Sequence, residues 1–74
     1  MAKENIDYYR ILSKNIAGYR KLRGWNQLEL AERLTISRSY LSILEAPNMQ
    51  VNISLQMLIR LSEQLDVPLP KLFE

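Results

Sequence analysis

The stretch NQLELAERLTISRSYLSILE, Asn26 to Glu45, decides how the chain reads. In its second half, at roughly 100° per residue, Leu41 and Leu44 lie about 60° apart on a helix and define an inward side, with Glu45 beside Leu41. Ser39, Ser42 and Ile43 fall opposite. Two small hydroxyls and one isolated aliphatic residue make a poor core and an odd solvent face, so this face is expected either to be indifferent or to press against a partner. In the first half, Asn26 and Glu29 form a capping-box-like start for a helix from Gln27 to Leu34, with Leu30, Ala31 and Leu34 turned inward. Between the halves, TIS is too short for anything but a tight turn, and Ser37 suits the N-cap of the next helix.

Working outward, the flanks repeat with a helical period, and no segment alternates as a strand would. A first helix is expected from about Asp7 to Arg23, with Tyr8, Leu12, Ile16 and Tyr19 on one face and Gly24 as its C-terminal stop. GWN then turns the chain. After Glu45, Pro47 and Asn48 break the pattern, and APNMQVNI reads as a connecting loop before Ser54 caps a helix ending near Leu65. Leu55, Leu58, Leu61 and Leu65 form its stripe, which Met57 and Ile59 widen on both flanks. VPLPKLFE turns through Pro68 into one last helical turn around Leu69 to Phe73. The expected fold is all-α, a compact five-helix single domain over residues 1–74, with residues 1–6 either outside the folded core or extending the first helix.

A chain of 74 residues sits near the lower limit at which a single core holds without help. It contains no cysteine and no histidine, which removes the common zinc spacings, the usual nucleophile and the usual general base. Nothing Gly-rich is present to cradle a phosphate. The expectation is therefore a protein that is not an enzyme and uses no metal, cofactor or small-molecule ligand. No apolar run approaches the 18 or so residues that span a bilayer, and MAKEN followed by IDYY is no signal peptide, so a cytoplasmic location away from any membrane is expected. The formal charge of +2 is uneven: residues 1–45 hold eight of the ten Lys and Arg against five of the eight acids. That surplus permits a polyanionic partner without demanding one.

Two short helices joined by a tight turn, the second exposing small polar residues near its start, are the outline of a DNA-binding helix-turn-helix. From Ile16 to Phe73 the sequence resembles the Cro/cI repressor class, also called Xre-like. The resemblance is carried by Ile16, Arg20, NQ at 26 and 27, LA at 30 and 31, ISRS at 36 to 39 and ILE at 43 to 45. It implies a lambda-repressor-like fold in which the third helix, Arg38 to Glu45, enters the major groove of double-stranded DNA. The implied base readers are Arg38, Ser39, Ser42 and Ile43. Arg38 would fork onto the O6 and N7 of guanine or take a phosphate, the serines would specify weakly, and Ile43 would pack on a thymine methyl. Ile43 departs from the polar residue common at its position.

The resemblance also places Gln27 on a DNA phosphate, at a helix start where free N–H groups and the dipole favour an anion. Asn26, Ser37, Tyr40 and Asn48 are the other implied phosphate contacts, although Tyr40 would equally pack on the turn. Arg20 and Glu45 are implied as a structural ion pair, and the helical wheel independently sets both beside the core edge, where an unpaired charge would be costly. Ala31 is small enough for close helix crossing, and Trp25 stands at an apolar position and reads as core.

Two departures bear on affinity. Thr35 stands where the class usually has glycine, which predicts a strained or rerouted turn. The loop after Glu45 is about two residues longer than usual and offers Asn48, Gln50 and Asn52 in place of basic residues, which lowers the expected affinity and salt dependence.

One recognition helix reads few bases, so a homodimer with helices about 34 Å apart on a palindrome is expected. Met57, Ile59, Leu69, Leu72 and Phe73 would form its interface, or would close the small core. The expected role is a transcriptional repressor, of bacterial or phage type, that occludes RNA polymerase at the nucleoid and is regulated by its own concentration. Glu29 and Glu32 would alternatively touch polymerase as an activating patch. A reading of another class is a protein-interaction module, such as an antitoxin or adapter, that uses the apolar C-terminal surface.

Overall fold

Each helix begins where a short polar side chain closes its first turn. Asp7 accepts from the Arg10 N–H at 3.1 Å, Asn26 from Glu29 at 2.8 Å, Ser37 from Tyr40 at 3.0 Å and Ser54 from Met57 at 3.0 Å. In this computed structural model, which describes residues 6–48 and 51–74, the helices so started are α1 (Tyr8–Leu22), α2 (Gln27–Leu34), α3 (Arg38–Leu44) and α4 (Leu55–Leu65). The fifth expected helix is a 3-10 turn, Leu69–Phe73. With Pro68 before it, Pro70 inside its first turn and only five residues to use, this segment cannot carry an α-helical ladder. No strand occurs among the described residues. Residues 1–5 and Gln50, for which expectations were stated, lie outside the described residues.

Three helices end in the same way. The N–H of Trp25 returns to the Arg20 carbonyl at 3.2 Å, that of Ile36 to Ala31 at 3.0 Å and that of Val67 to Ser62 at 3.0 Å. Each closure passes through one left-handed residue: Gly24 (φ 76°), Thr35 (φ 57°) and Asp66 (φ 57°). The apolar residue that follows, Trp25, Ile36 or Val67, packs against the core and fixes the exit direction of the chain. Thr35 thus takes the glycine-like conformation without being glycine. Its helix-to-helix turn therefore bears a conformational cost that glycine would avoid.

The core joins Leu12 and Ile16 of α1, Leu30, Ala31 and Leu34 of α2, Leu41 and Leu44 of α3, Leu61 and Leu65 of α4, and Leu72 of the 3-10 turn. Leu72 is completely buried within the chain. It therefore belongs to the core and is withdrawn from the expected dimer interface. Tyr8 and Leu55, expected on inward stripes, are 51% and 63% exposed. Both are the first residues of their helices, where the periodic pattern runs on past the edge of the core.

Side chains distant in sequence secure the 3-10 turn and the ends of two helices. The Asn15 amide donates to the carbonyls of Leu72 at 2.9 Å and Glu74 at 3.0 Å, which holds the 3-10 turn on α1. Arg60 donates to the Leu34 carbonyl and Arg23 to the Leu65 carbonyl, the latter at 3.2 Å, so the C-termini of α2 and α4 each receive a cationic donor. No helix among the described residues is long and apolar enough to cross a membrane.

Candidate nucleic-acid interface

The face in question is set by how α3 is held from behind. Leu41 and Leu44 bury one side of this seven-residue helix against α2 and the core, which leaves Arg38, Ser39, Ser42 and Ile43 together on the exposed side. Ile43 is 47% exposed, a large aliphatic surface that lies outside the core cluster of the described residues. Neither serine hydroxyl is needed to hold α3, since the N-cap bond is made by Ser37. Both can donate to or accept from a base edge.

Next to this face a chain of hydrogen bonds runs into the interior. The Arg38 guanidinium donates from Nη1 to Gln27 Oε1 at 3.1 Å, and Gln27 Nε2 donates to Glu45 Oε1 at 3.1 Å. Glu45 receives two further bonds from Arg20, Nε to Oε2 at 2.8 Å and Nη2 to Oε1 at 2.9 Å. Arg20 completes the run by donating Nη1 to the Trp25 carbonyl at 2.8 Å. The buried end is satisfied at every polar atom: no buried side-chain nitrogen or oxygen among the described residues lacks a partner.

This chain changes how two of the expected residues work. Gln27 is half-buried and already serves both Glu45 and Arg38, so its first task is internal; a phosphate would use its remaining amide hydrogen and the open N–H groups of the first turn of α2. Arg38 is exposed and spends one of its five donor hydrogens on Gln27, leaving a fork for an acceptor outside the chain.

Asn26 is tied into a reciprocal capping box, its own N–H donating to Glu29 Oε1 at 2.9 Å, which leaves the side-chain amide hydrogens for an outside ligand. Ser37 is exposed beside Arg38. Tyr40 is half-buried and packs against the core. Asn48 is exposed in the loop after α3. The residues expected at a dimer contact lie elsewhere, on α4 and the 3-10 turn: Ile59 is 42% exposed, while Met57, Leu69 and Phe73 are partly buried against the core.

Two features have no counterpart in the residue-by-residue expectations. The Arg33 guanidinium lies 4.1 Å from the Trp25 ring centre and that of Arg23 lies 5.7 Å from it, so Trp25 is core on one side and a cation-stacking surface on the other. Arg10 and Lys14 line a groove with Ser13, Glu45 and Pro47.

Two helices crossing through a left-handed corner, the second presenting a polar outer face, define a helix-turn-helix domain. The chain belongs to the helix-turn-helix family of the Cro/cI, or Xre-like, type, which it matches over residues 16–72. It is similar to SinR, an HTH-type transcriptional regulator of Bacillus subtilis (strain 168), with 39% identity over 64 residues, 86% of this chain and 57% of SinR. The chain thus spans little more than half the length of that relative. The crystal structure of SinR, the master regulator for biofilm formation, in complex with DNA has a TM-score of 0.75 and 40% identity, covering 85% of this chain and 98% of that one. A hypothetical transcription factor from Neisseria, NHTF, has a TM-score of 0.82 at 28% identity over 100% of this chain and 85% of its own.

Proposed function

We propose that this chain is a sequence-specific DNA-binding transcriptional regulator, and not an enzyme, that lays α3 in the major groove. The carrying observation is the exposed face of Arg38, Ser39, Ser42 and Ile43, held by a helix whose opposite side is fully committed to the core. Arg38 reads guanine through its free fork, Ile43 covers a thymine methyl, and Ser39 and Ser42 adjust the contact. Asn26, Gln27, Ser37, Tyr40 and Asn48 position the helix on the phosphates. The similarity to SinR, solved on DNA, supports this reading over a protein-interaction module.

The regulator works as a homodimer on an inverted repeat, with Met57, Ile59, Leu69 and Phe73 as the contact, and represses by denying RNA polymerase its site. Its place of action is the cytoplasm, at the nucleoid. The test is selection of bound duplexes from a random DNA pool at low and moderate salt. An inverted repeat with half-sites about one helical turn apart is the expected result. Recovery of no motif, with binding that vanishes at moderate salt, would overturn it.

A further inference from the structure

The loop from Ala46 to Ile53 carries no lysine or arginine, so the sugar-phosphate strand at the C-terminal end of α3 has no cation from that loop. Two cations stand beside it on another element. Arg10 and Lys14, four residues apart on α1, line a groove whose other walls are Glu45, the C-cap of α3, and Pro47, the second residue of the bare loop. Both are exposed, and neither takes part in an ion pair among the described residues.

The acid in that groove does not neutralise them. Both oxygens of Glu45 are occupied by Arg20, and one also by Gln27. Asp7, near Arg10 on the same helix, accepts the Arg10 backbone N–H as the cap of α1. The two cations are also badly placed for the helix alone. Arg10 lies in the first turn, where the dipole disfavours positive charge, and like charges four residues apart repel. An anion in the groove removes both penalties. Geometry allows it: α3 has seven residues, so it is about 10 Å long, while the major groove is about 12 Å wide. Groups at both ends of the helix therefore come within reach of the flanking backbones.

We infer that Arg10 and Lys14 clamp the DNA phosphates at the C-terminal end of α3, supplying from α1 the charge that the loop lacks. This rests on the DNA-binding reading above and adds positive charge beside the uncharged Asn48 at that end, opposite the contact at the start of α2.

The test compares the full chain with the double variant Arg10→Gln, Lys14→Gln on the selected duplex, titrated across a range of salt. Loss of two phosphate contacts lowers the slope of log affinity against log salt by about 2 and weakens binding on the order of tenfold or more at 0.1 M salt. The selected motif stays the same, the melting temperature of the free protein does not fall, since two unfavourable charges are removed from α1, and the charge-preserving pair Arg10→Lys, Lys14→Arg keeps the slope. A double Gln variant with the slope of the parent, on a parent that binds well, overturns the clamp and leaves the DNA reading intact. A parent that binds no duplex at any salt overturns both.

Discussion

Arg20 and Glu45, 25 positions apart, meet in a two-pronged contact that joins α1 to the end of α3, with their side chains only 10% and 5% exposed. Such a pair stabilises little relative to apolar residues of the same shape, yet removing one partner strands a buried charge. Glu45→Ala is expected to cost about 3–5 kcal/mol, a large share of the total for a domain of this size. Urea denaturation followed by circular dichroism measures it. Removing both charges by Arg20→Leu with Glu45→Leu should cost less than the two single changes added together.

Arg38→Ala removes one exposed hydrogen bond to Gln27, so it costs the fold little, and should cost about 1–3 kcal/mol on the preferred duplex. Its signature is relaxed preference at one base pair per half-site. Competition binding against single-base variants of the selected duplex reads this directly, and an equal loss on every duplex would reassign Arg38 to a phosphate.

Gln27→Ala unties Arg38 from Glu45 without exposing a core residue. Stability should fall by about 0.5–1.5 kcal/mol, the usual worth of such a bond, and discrimination at the base pair read by Arg38 should fall with it. A binding loss confined to affinity, with discrimination intact, would mean that Gln27 acts only on the backbone.

Thr35→Gly relieves a β-branched residue of a left-handed backbone, which costs about 1–2 kcal/mol, against the extra flexibility glycine brings to the unfolded chain. A net gain of about 0.5–1 kcal/mol is expected, visible as a rise of a few degrees in thermal unfolding. DNA affinity should not fall.

Leu72→Ala and Ile59→Asp separate core from contact surface. The first opens a cavity and should destabilise the fold by about 2–5 kcal/mol at any protein concentration. The second, on an exposed residue, should leave melting of the monomer unchanged and weaken self-association in sedimentation.

Much of this architecture was legible in the sequence because its determinants are local. Asn26 with Glu29, Ser37, Ser54 and Gly24 announce helix limits within a few residues of themselves, and Leu30, Ala31, Leu34, Leu41 and Leu44 repeat at the helical period. What was not legible depends on distant partners. Nothing near Asn15 indicates that its amide meets carbonyls at Leu72 and Glu74, and nothing near Arg60 indicates the carbonyl of Leu34. Tyr8 and Leu55 misled because periodicity reports which side of a helix is apolar and says nothing about how far along the helix its neighbours extend. For the interface, the exposed side of α3 follows from its pattern, whereas the double service of Gln27 and the grouping of Arg10 and Lys14 beside Glu45 need three elements at once.

The hydrogen-bonded run from Arg38 through Gln27 and Glu45 to Arg20 sets the terms on which this protein could acquire a new target. Among the described residues Ser39 and Ser42 make no side-chain hydrogen bond and Ile43 lies outside the core cluster, so these side chains are open to exchange, and a redesign limited to them would retune recognition at little risk to folding. A redesign that includes Arg38 reaches a glutamine that also braces the glutamate on which the fold depends. Retargeting therefore has a safe alphabet of three positions, and a fourth whose changes should be screened together with Gln27.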